Sequence, residues 1–161
     1  MAITTRHATV EDASTVHGLI RDLAAAQDSA SEMRSTVADI ARDGFGPGAL
    51  FHSLLAEEEG EAVGLALYFY IYSTWQGRPA LYVEDLIVTD RARGRGIGTL
   101  LMRKLAGISS ERGCSKLELS VSARNTARAF YEGLGMNQKG DWIPYTISGP
   151  ALDRLAVASR Q

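Results

Sequence analysis

The segment VTDRARGRGIGTLLMRKL, residues 88–105, constrains the fold of this chain more than any other stretch. Three arginines stand within five positions, and three glycines lie among and just after them. An apolar stretch precedes the segment, and apolar residues recur at helical spacing after it. This pattern predicts a strand, a glycine-rich loop and a helix in succession.

The arginine–glycine loop has two interpretations. A helix N-terminus leaves N–H groups without partners, and glycines let a ligand approach the backbone, so the strand–loop–helix order predicts a phosphate site. The alternative is a basic turn exposed to solvent, although three glycines at a helix start lower stability. The loop has neither the Gly-Lys-Ser/Thr of a Walker A motif nor the G-x-G-x-x-G of a dinucleotide fingerprint.

Periodicity along the rest of the chain predicts the order β-α-α-β-β-β-α-β-α-β. The predicted strands are residues 3–8, 51–57, 62–73, 80–88, 115–122 and 141–149, and the predicted helices begin at Thr9, near Ser31, after the loop and at Asn125. Residues 62–73 are almost wholly apolar, which predicts that both faces of this strand are covered. We therefore expect an α/β (mixed α+β) fold whose mixed sheet carries helices on both faces.

Composition narrows the function. At 161 residues the chain fits one domain, and its net charge of −2 argues against general nucleic-acid binding. No apolar run approaches the roughly 20 residues that cross a bilayer, and the N-terminus lacks a signal-peptide pattern, so we expect a cytoplasmic protein without membrane contacts. Cys114 is the one cysteine and the three histidines are scattered, so we expect neither a disulfide nor a metal site.

Two adjacent acids, Glu84 and Asp85, lie within the predicted strand 80–88. Strand alternation places neighbouring side chains on opposite faces, and burying either acid without a partner is costly. One interpretation is an exposed acid beside a structural, hydrogen-bonded one. The other is that at least one carboxylate faces a bound substrate, where it could attract a cation or accept a proton.

The segment Arg93-Gly94-Arg95-Gly96-Ile97-Gly98 matches the Arg/Gln-x-x-Gly-x-Gly/Ala signature, and with it the chain resembles the GCN5-related N-acetyltransferases (GNAT) from about residue 3 to residue 147. The likeness is closest to the spermidine/spermine (diamine) and thialysine acetyltransferase branch. The segments that carry this closer likeness are residues 43–45 (DGF), 71–77 (IYSTWQG), 82–88 (YVEDLIV) and 130–131.

The resemblance implies a single GNAT domain over residues 1–161, with a mostly antiparallel sheet of six to seven strands and about four helices. It implies acetyl-CoA as co-substrate, with its diphosphate at the loop and helix start. The residues so implied are Arg93, Gly94, Arg95, Gly96, Ile97, Gly98 and Thr99. Main-chain groups of Leu86, Ile87 and Val88 would bind the pantetheine arm in the manner of an added strand. Asn125 is also expected at the cofactor, although it stands one position from the family's asparagine and Arg124 occupies that place.

The resemblance also implies catalytic roles. Glu84 would act as general base, Asp85 would hold the amine, and Tyr131 would donate a proton to the departing sulfur. Tyr131 has an alternative role in packing, because it shares an apolar helix face with Phe130 and other residues. Trp75 and Asp141 are expected to contact the substrate, and for Trp75 packing at the end of a hairpin is the alternative.

The function implied is acetyl transfer to a primary amine of a small molecule, either a diamine or polyamine or a lysine analogue such as thialysine, by direct attack. Two alternatives remain open. In the first, the enzyme acetylates another amine, on an antibiotic or at a protein N-terminus. In the second, the protein is a non-catalytic module that binds acyl-CoA. Relatives in this branch dimerise, so we expect a homodimer that uses the apolar last strand and the C-terminal segment.

Overall fold

The computed structural model describes residues 2–158, which form two compact units. The first unit runs through Ser122 and the second begins at Ala123. Each unit is described by itself. The predicted domain, residues 1–161, extends beyond the described residues at both ends.

The first unit is a five-stranded sheet with three α-helices. The strands, in spatial order, are β1 (Ile3–His7), β2 (His52–Glu58), β3 (Glu61–Ser73), β4 (Arg78–Val88) and β5 (Leu117–Leu119). The helices are α1 (Ala13–Ala26), α2 (Val37–Asp43) and α3 (Ile97–Glu111). All neighbouring strands are antiparallel except β4 and β5, which are parallel. The predicted α/β class and the mixed, mostly antiparallel sheet are confirmed.

The first two helices begin later than the sequence predicts. Thr9 and Asp12 form a capping box, but it surrounds a 3-10 turn, and α1 starts only at Ala13. The region near Ser31 forms another 3-10 turn, Ala30–Glu32, well before α2. Periodicity marks the apolar face of such segments and not the point at which the first 3.6-residue turn closes.

Helices cover both faces of the sheet, as predicted. On one face, α1 and α2 pack over the central strands through Val16, Leu19, Ile40, Leu55, Leu65 and Ile87. On the other face α3 lies against Gly64 of β3, where an added Cβ would stand 3.1 Å from Ile97 Cγ2 and 3.2 Å from Leu101 Cδ1. The absent side chain at Gly64 therefore lets the first turns of α3 approach the sheet closely.

Strand β4 is irregular at its centre. The β3–β4 register shifts between Leu67, which pairs with Asp85, and Tyr68, which pairs with Val83. Glu84 is thus the extra residue of a β-bulge. The alternation that placed the two acids on opposite faces is interrupted at this point.

The bulge coincides with the end of the parallel pairing. Strand β5 pairs only with residues 81–83 of β4, and no described strand pairs with residues 84–88 on that side. The predicted strand 115–122 is therefore shortened to Leu117–Leu119. On that side, residues 84–88 therefore make no strand-to-strand pairing within the described residues.

The second unit contains α4 (Arg128–Gly133) and α5 (Gly149–Ala158). The strand predicted at residues 141–149 is wrong for the described chain, because residues 141–148 are exposed and pair with no strand. Residues 2–158 therefore contain five strands, fewer than the six to seven predicted, and five α-helices where about four were predicted. Within residues 2–158, none of the helices has the length and apolarity needed to cross a membrane.

Candidate active site

The glycine-rich loop enters α3 through a left-handed residue. Gly96 is the N-cap of α3 with φ of 79°, and Gly94 has φ of 73°. Apart from each glycine and its two chain neighbours, no atom of residues 2–158 lies within 4 Å of the place that a Cβ would take at either position. Glycine is therefore required here by backbone conformation, and the space over both residues is open.

The start of α3 offers main-chain donors to that space. Leu100 N–H donates to the Gly96 carbonyl at 2.9 Å. The N–H groups of Ile97, Gly98 and Thr99 precede this bond and have no intrahelical acceptor. Together with the positive end of the helix dipole, these donors suit an anion of the size of a diphosphate.

All three arginines of the loop are paired with carboxylates. The pairs are Arg91–Glu61 at 2.6 Å, Arg93–Asp90 at 2.9 Å, and Arg95–Glu58, in which Arg95 Nη1 lies 2.9 Å from Glu58 Oε2 and Nη2 contacts Oε1. The Arg95 guanidinium holds the pKa of the Glu58 carboxyl below its usual range. The loop is cationic in sequence, but its charge is largely balanced by these acids.

A cavity of about 260 Å³ opens beside the bulged part of β4. It is lined by Ile20, Leu23, Ala24, Gln27, Ser29, Glu32, Met33 and Asp85. Aliphatic side chains and Met33 form most of the wall, while Glu32 and Asp85 supply carboxylates and none of the eight residues is Lys, Arg or His. This lining fits a cation that is attached to a hydrocarbon stem.

Asp85 has the properties of an acid that could exchange a proton near neutral pH. Burial, with a smaller contribution from the charge of Glu84, raises the pKa of Asp85 to about 6. Its carboxylate has no hydrogen bond or ion pair within residues 2–158. Glu84 is exposed to solvent. An acid with a pKa near neutrality and no cationic partner can both attract an ammonium group and take its proton.

Three predicted site residues lie in the second unit. Tyr131 is on α4, its ring contacts the ring of Phe130 edge-on with centroids 5.1 Å apart, and burial raises the pKa of its phenol. The helix was predicted to begin at Asn125, but it begins at Arg128 with Ala127 as its N-cap; the Oδ1 of Asn125 accepts a hydrogen bond from Ala127 N–H at 2.9 Å in the turn before it. Asp141 is exposed in the irregular segment before α5.

Trp75 is not brought to the cavity within this chain. It lies in the turn between β3 and β4 and is 86% exposed. Trp75 precedes Arg78, the first residue of β4. Asp85 lies seven positions further along this strand, a distance of about 23 Å at the rise of a β-strand. The first unit thus brings together the acids, the β4 edge and the loop, but not Trp75.

Sequence reasoning missed three acids around the site. Glu58 and Glu61 bind the loop arginines, and the acidic turn EEGE beside a strongly basic loop was the available signal. Glu32 lines the cavity from a 3-10 turn, and nothing in its local sequence marks it. Among residues 2–158, no group of three or more His, Cys, Asp or Glu is arranged to hold a metal ion.

Residues 18–136 match the acetyltransferase (GNAT) family. The chain belongs to this family and is an N-acetyltransferase. Family members generally use acetyl-CoA as co-substrate.

Two relatives make the likeness more specific. The chain is 34% identical over 163 residues to thialysine N-epsilon-acetyltransferase of Mus musculus, an alignment that covers 94% of this chain and 95% of that protein. It is 35% identical over 133 residues to spermidine/spermine N(1)-acetyltransferase-like protein 1 of Homo sapiens, covering 78% of this chain and 19% of that protein.

Solved structures show the same fold. An integron cassette protein from the mobile metagenome of V. cholerae superposes with a TM-score of 0.82 and 24% identity, over 97% of this chain and 98% of that one. At this level of identity the likeness concerns the fold alone.

Proposed function

We propose that this protein transfers the acetyl group of acetyl-CoA to a primary amine of a small molecule by direct attack, without a covalent enzyme intermediate. The observation that supports this most strongly is on β4. That one strand carries Asp85, an unpaired acid with a raised pKa in a cavity, and an unpaired edge that leads to the open start of α3.

The residues present fit acetyl-CoA, which supplies the activated acetyl thioester. The N–H groups of Ile97, Gly98 and Thr99 would hold the diphosphate. Main-chain groups of Leu86, Ile87 and Val88 would pair with the amides of the pantetheine arm. For Asn125 the side-chain NH₂ remains the group for such a contact, because its Oδ1 already accepts from Ala127.

Asp85 is proposed to hold the substrate ammonium and to accept its proton. The sequence-based prediction gave proton transfer to Glu84, but Asp85 lines the cavity, and burial raises the pKa of its carboxyl to about 6. The negative charge of Glu84 would support this role, because it helps to raise the pKa of Asp85. The reaction forms a C–N bond and breaks the C–S bond. The ammonium loses two protons: Asp85 accepts the first before the attack, and the second leaves the nitrogen as the C–S bond breaks and balances the proton that the departing sulfur receives.

Tyr131 is proposed to give a proton to the departing sulfur, a role that follows from the family resemblance. A phenol is protonated at neutral pH, and burial raises the pKa of Tyr131 further, so the hydroxyl is available as a hydrogen-bond donor. Trp75 and Asp141 remain predictions for contacts with the more distant part of the acceptor.

The proposed acceptors are small primary amines with a hydrocarbon stem, either diamines and polyamines or lysine analogues such as thialysine. The relatives named for thialysine and for spermidine/spermine support this class. The two acids and the apolar wall of the cavity favour amines that lack a carboxylate among these candidates.

The proposal is tested by measuring thiol release from acetyl-CoA with propane-1,3-diamine, spermidine, thialysine, lysine, an aminoglycoside and a peptide with a free N-terminus. We expect turnover with at least one of the first four. Turnover only with the aminoglycoside or the peptide would favour the alternative acceptors. Binding of acetyl-CoA in calorimetry without thiol release on any amine would favour a non-catalytic module.

We further propose that the whole chain acts as one catalytic domain in the cytoplasm and as a homodimer. The dimer is supported by exposed apolar side chains in the second unit, namely Trp142, Ile143, Tyr145, Leu155 and Val157. Large exposed apolar surfaces often mark sites of protein association. Light scattering coupled to size exclusion should give twice the chain mass, and a monomer at about 10 μM would contradict the dimer.

A further inference from the structure

The turn between β2 and β3 concentrates negative charge beside the glycine-rich loop. Glu58 and Glu61 pair directly across the two strands. Between them Glu59 and Gly60 form the two-residue turn, with φ of 52° and 83°. Like charges directly opposite each other destabilise an antiparallel pair. Cationic side chains next to this turn would therefore stabilise the Glu58–Glu61 pairing.

The loop supplies those cations. Arg95 binds Glu58 through both carboxylate oxygens, and the Glu58 side chain is only 13% exposed. A carboxylate so covered would be left without its charged partner if Arg95 turned toward a ligand, which carries a cost. Arg91 binds Glu61 at 2.6 Å. Two ion pairs thus hold the loop on either side of Arg93 and Gly94.

The loop is also fixed from below. Ala92 is fully buried, and Gly64 lets α3 contact β3 closely at Ile97. Thr89 N–H donates to the Val63 carbonyl at 3.0 Å. With these contacts and the two ion pairs, little freedom remains for the left-handed Gly96, whose conformation directs the N–H groups at the start of α3.

We propose that Glu58 and Glu61 are positioning residues that hold the loop through Arg95 and Arg91. On this proposal Arg95 contributes to acetyl-CoA binding through the backbone conformation that it imposes at Gly94 and Gly96, and not through contact with the phosphates. The inference rests on the proposed function, because it assigns the diphosphate to this loop.

The proposal makes a prediction of opposite sign to simple electrostatics. Removing a negative charge next to an anion site should strengthen anion binding if charge alone decides. If Glu58 positions the loop, the same change should weaken binding. Ion pairs near the surface contribute only about 0–1 kcal/mol to stability, and Gln keeps a hydrogen-bond acceptor for Arg95, so the variant should still fold although the Glu58 side chain is largely covered.

The first experiment compares Glu58→Gln with Glu59→Gln, which removes the same charge from the next position of the same turn. Acetyl-CoA is titrated into each protein in a calorimeter, and KM and kcat are measured with the amine that the wild type uses. We expect Glu58→Gln to raise Kd and KM by about tenfold, with kcat at saturation within about twofold. Glu59→Gln should stay within about twofold of the wild type.

The second experiment exchanges the pair. Arg95→Glu alone should weaken binding by more than about tenfold, and Arg95→Glu with Glu58→Arg should return Kd to within about threefold of the wild type. If Arg95 contacts the phosphates, the exchange would leave a glutamate there and would restore nothing. Should Glu58→Gln fail to fold, Glu61→Gln provides the same test, because both side chains of that pair are exposed.

The outcomes separate the two proposals. A wild-type protein that gives no heat with millimolar acetyl-CoA overturns the proposed function and this inference together. A wild type that binds acetyl-CoA, with Glu58→Gln binding as tightly or more tightly, overturns the positioning role alone. A loss of melting temperature without a change in Kd likewise reduces the pair to a structural contact.

Discussion

The loop before α3 and the cavity beside β4 differ in whether their charged side chains have partners of opposite charge. In the loop, Arg91, Arg93 and Arg95 each have a carboxylate partner. In the cavity, the carboxylate of Asp85 has no cationic partner within residues 2–158. Both regions belong to the first unit, and β4 connects them.

The difference shows what each region is suited to do. Paired charges cost little to maintain and fix a backbone geometry, which suits a loop that binds through main-chain N–H groups. An unpaired, partly buried acid lowers stability, but it interacts strongly with an incoming cation and has a pKa near neutrality. The contrast agrees with the proposed function, in which the loop binds a diphosphate and the cavity binds an ammonium that must lose a proton.

Replacing the unpaired acid should have the largest effect. We expect Asp85→Asn to lower kcat/KM by about 10²–10⁴-fold, as loss of a general base does. In the wild type the rate should rise with pH through about pH 6 as Asp85 ionises, and this rise should be absent in the variant. The measurement is a pH profile of kcat/KM.

Glu84→Gln is the matched control for Asp85→Asn. Because the charge of Glu84 raises the pKa of Asp85, its removal should move the acidic limb to lower pH and leave the limb present. The opposite pattern, with the limb lost in Glu84→Gln and kept in Asp85→Asn, would return the role of base to Glu84.

The next largest effect concerns the conformation of the loop. Gly96→Ala places a Cβ on a residue with φ of 79°, which costs about 1–2 kcal/mol and displaces the helix start. We expect KM for acetyl-CoA to rise by about 10–100-fold with little change in kcat at saturation. Gly107→Ala, in the exposed interior of α3, is the control and should raise stability by about 1 kcal/mol without a change in KM. Equal KM values for both variants would refute the phosphate-binding role of the loop.

A smaller effect is expected at the phenol. Tyr131→Phe should lower kcat by about tenfold and leave Kd for acetyl-CoA unchanged, since the hydroxyl would act only on the departing sulfur. Tyr145→Phe, at a side chain that is 93% exposed, is the control. Full activity of Tyr131→Phe would assign that ring to packing with Phe130.

The smallest effect is on stability and tests the contrast directly. The folded-state pKa of Asp85, about 6, lies above its ordinary value of 3.8, so the folded protein binds more protons and loses stability as pH rises from about 4 to 6. Asp85→Asn should therefore be more stable than the wild type at pH 7, by about 1–3 kcal/mol. The difference should disappear at pH 3.5 in urea unfolding, and a less stable variant at pH 7 would contradict the unpaired state of Asp85.

Much of the first unit followed from local pattern. The central strands and α3 lie within two residues of their predicted bounds, because alternating or helical apolar spacing is a property of neighbouring residues. The loop before α3 was predictable for the same reason, since its glycines and the helix start are contiguous. The residues 141–149 failed this reasoning, because a short apolar run becomes a strand only where another strand pairs with it.

The same distinction between local pattern and tertiary contacts applies to the candidate site. The sequence by itself determined the strand, the glycine-rich loop, the helix start and the presence of two acids on β4. Only the tertiary structure decided that Glu84 occupies a bulge, that Asp85 lines a cavity with Glu32, and that Arg95 binds Glu58, 37 positions away. The physical reason is that backbone conformation depends on adjacent residues, whereas burial, pKa and ion pairing depend on which distant segments the fold brings together.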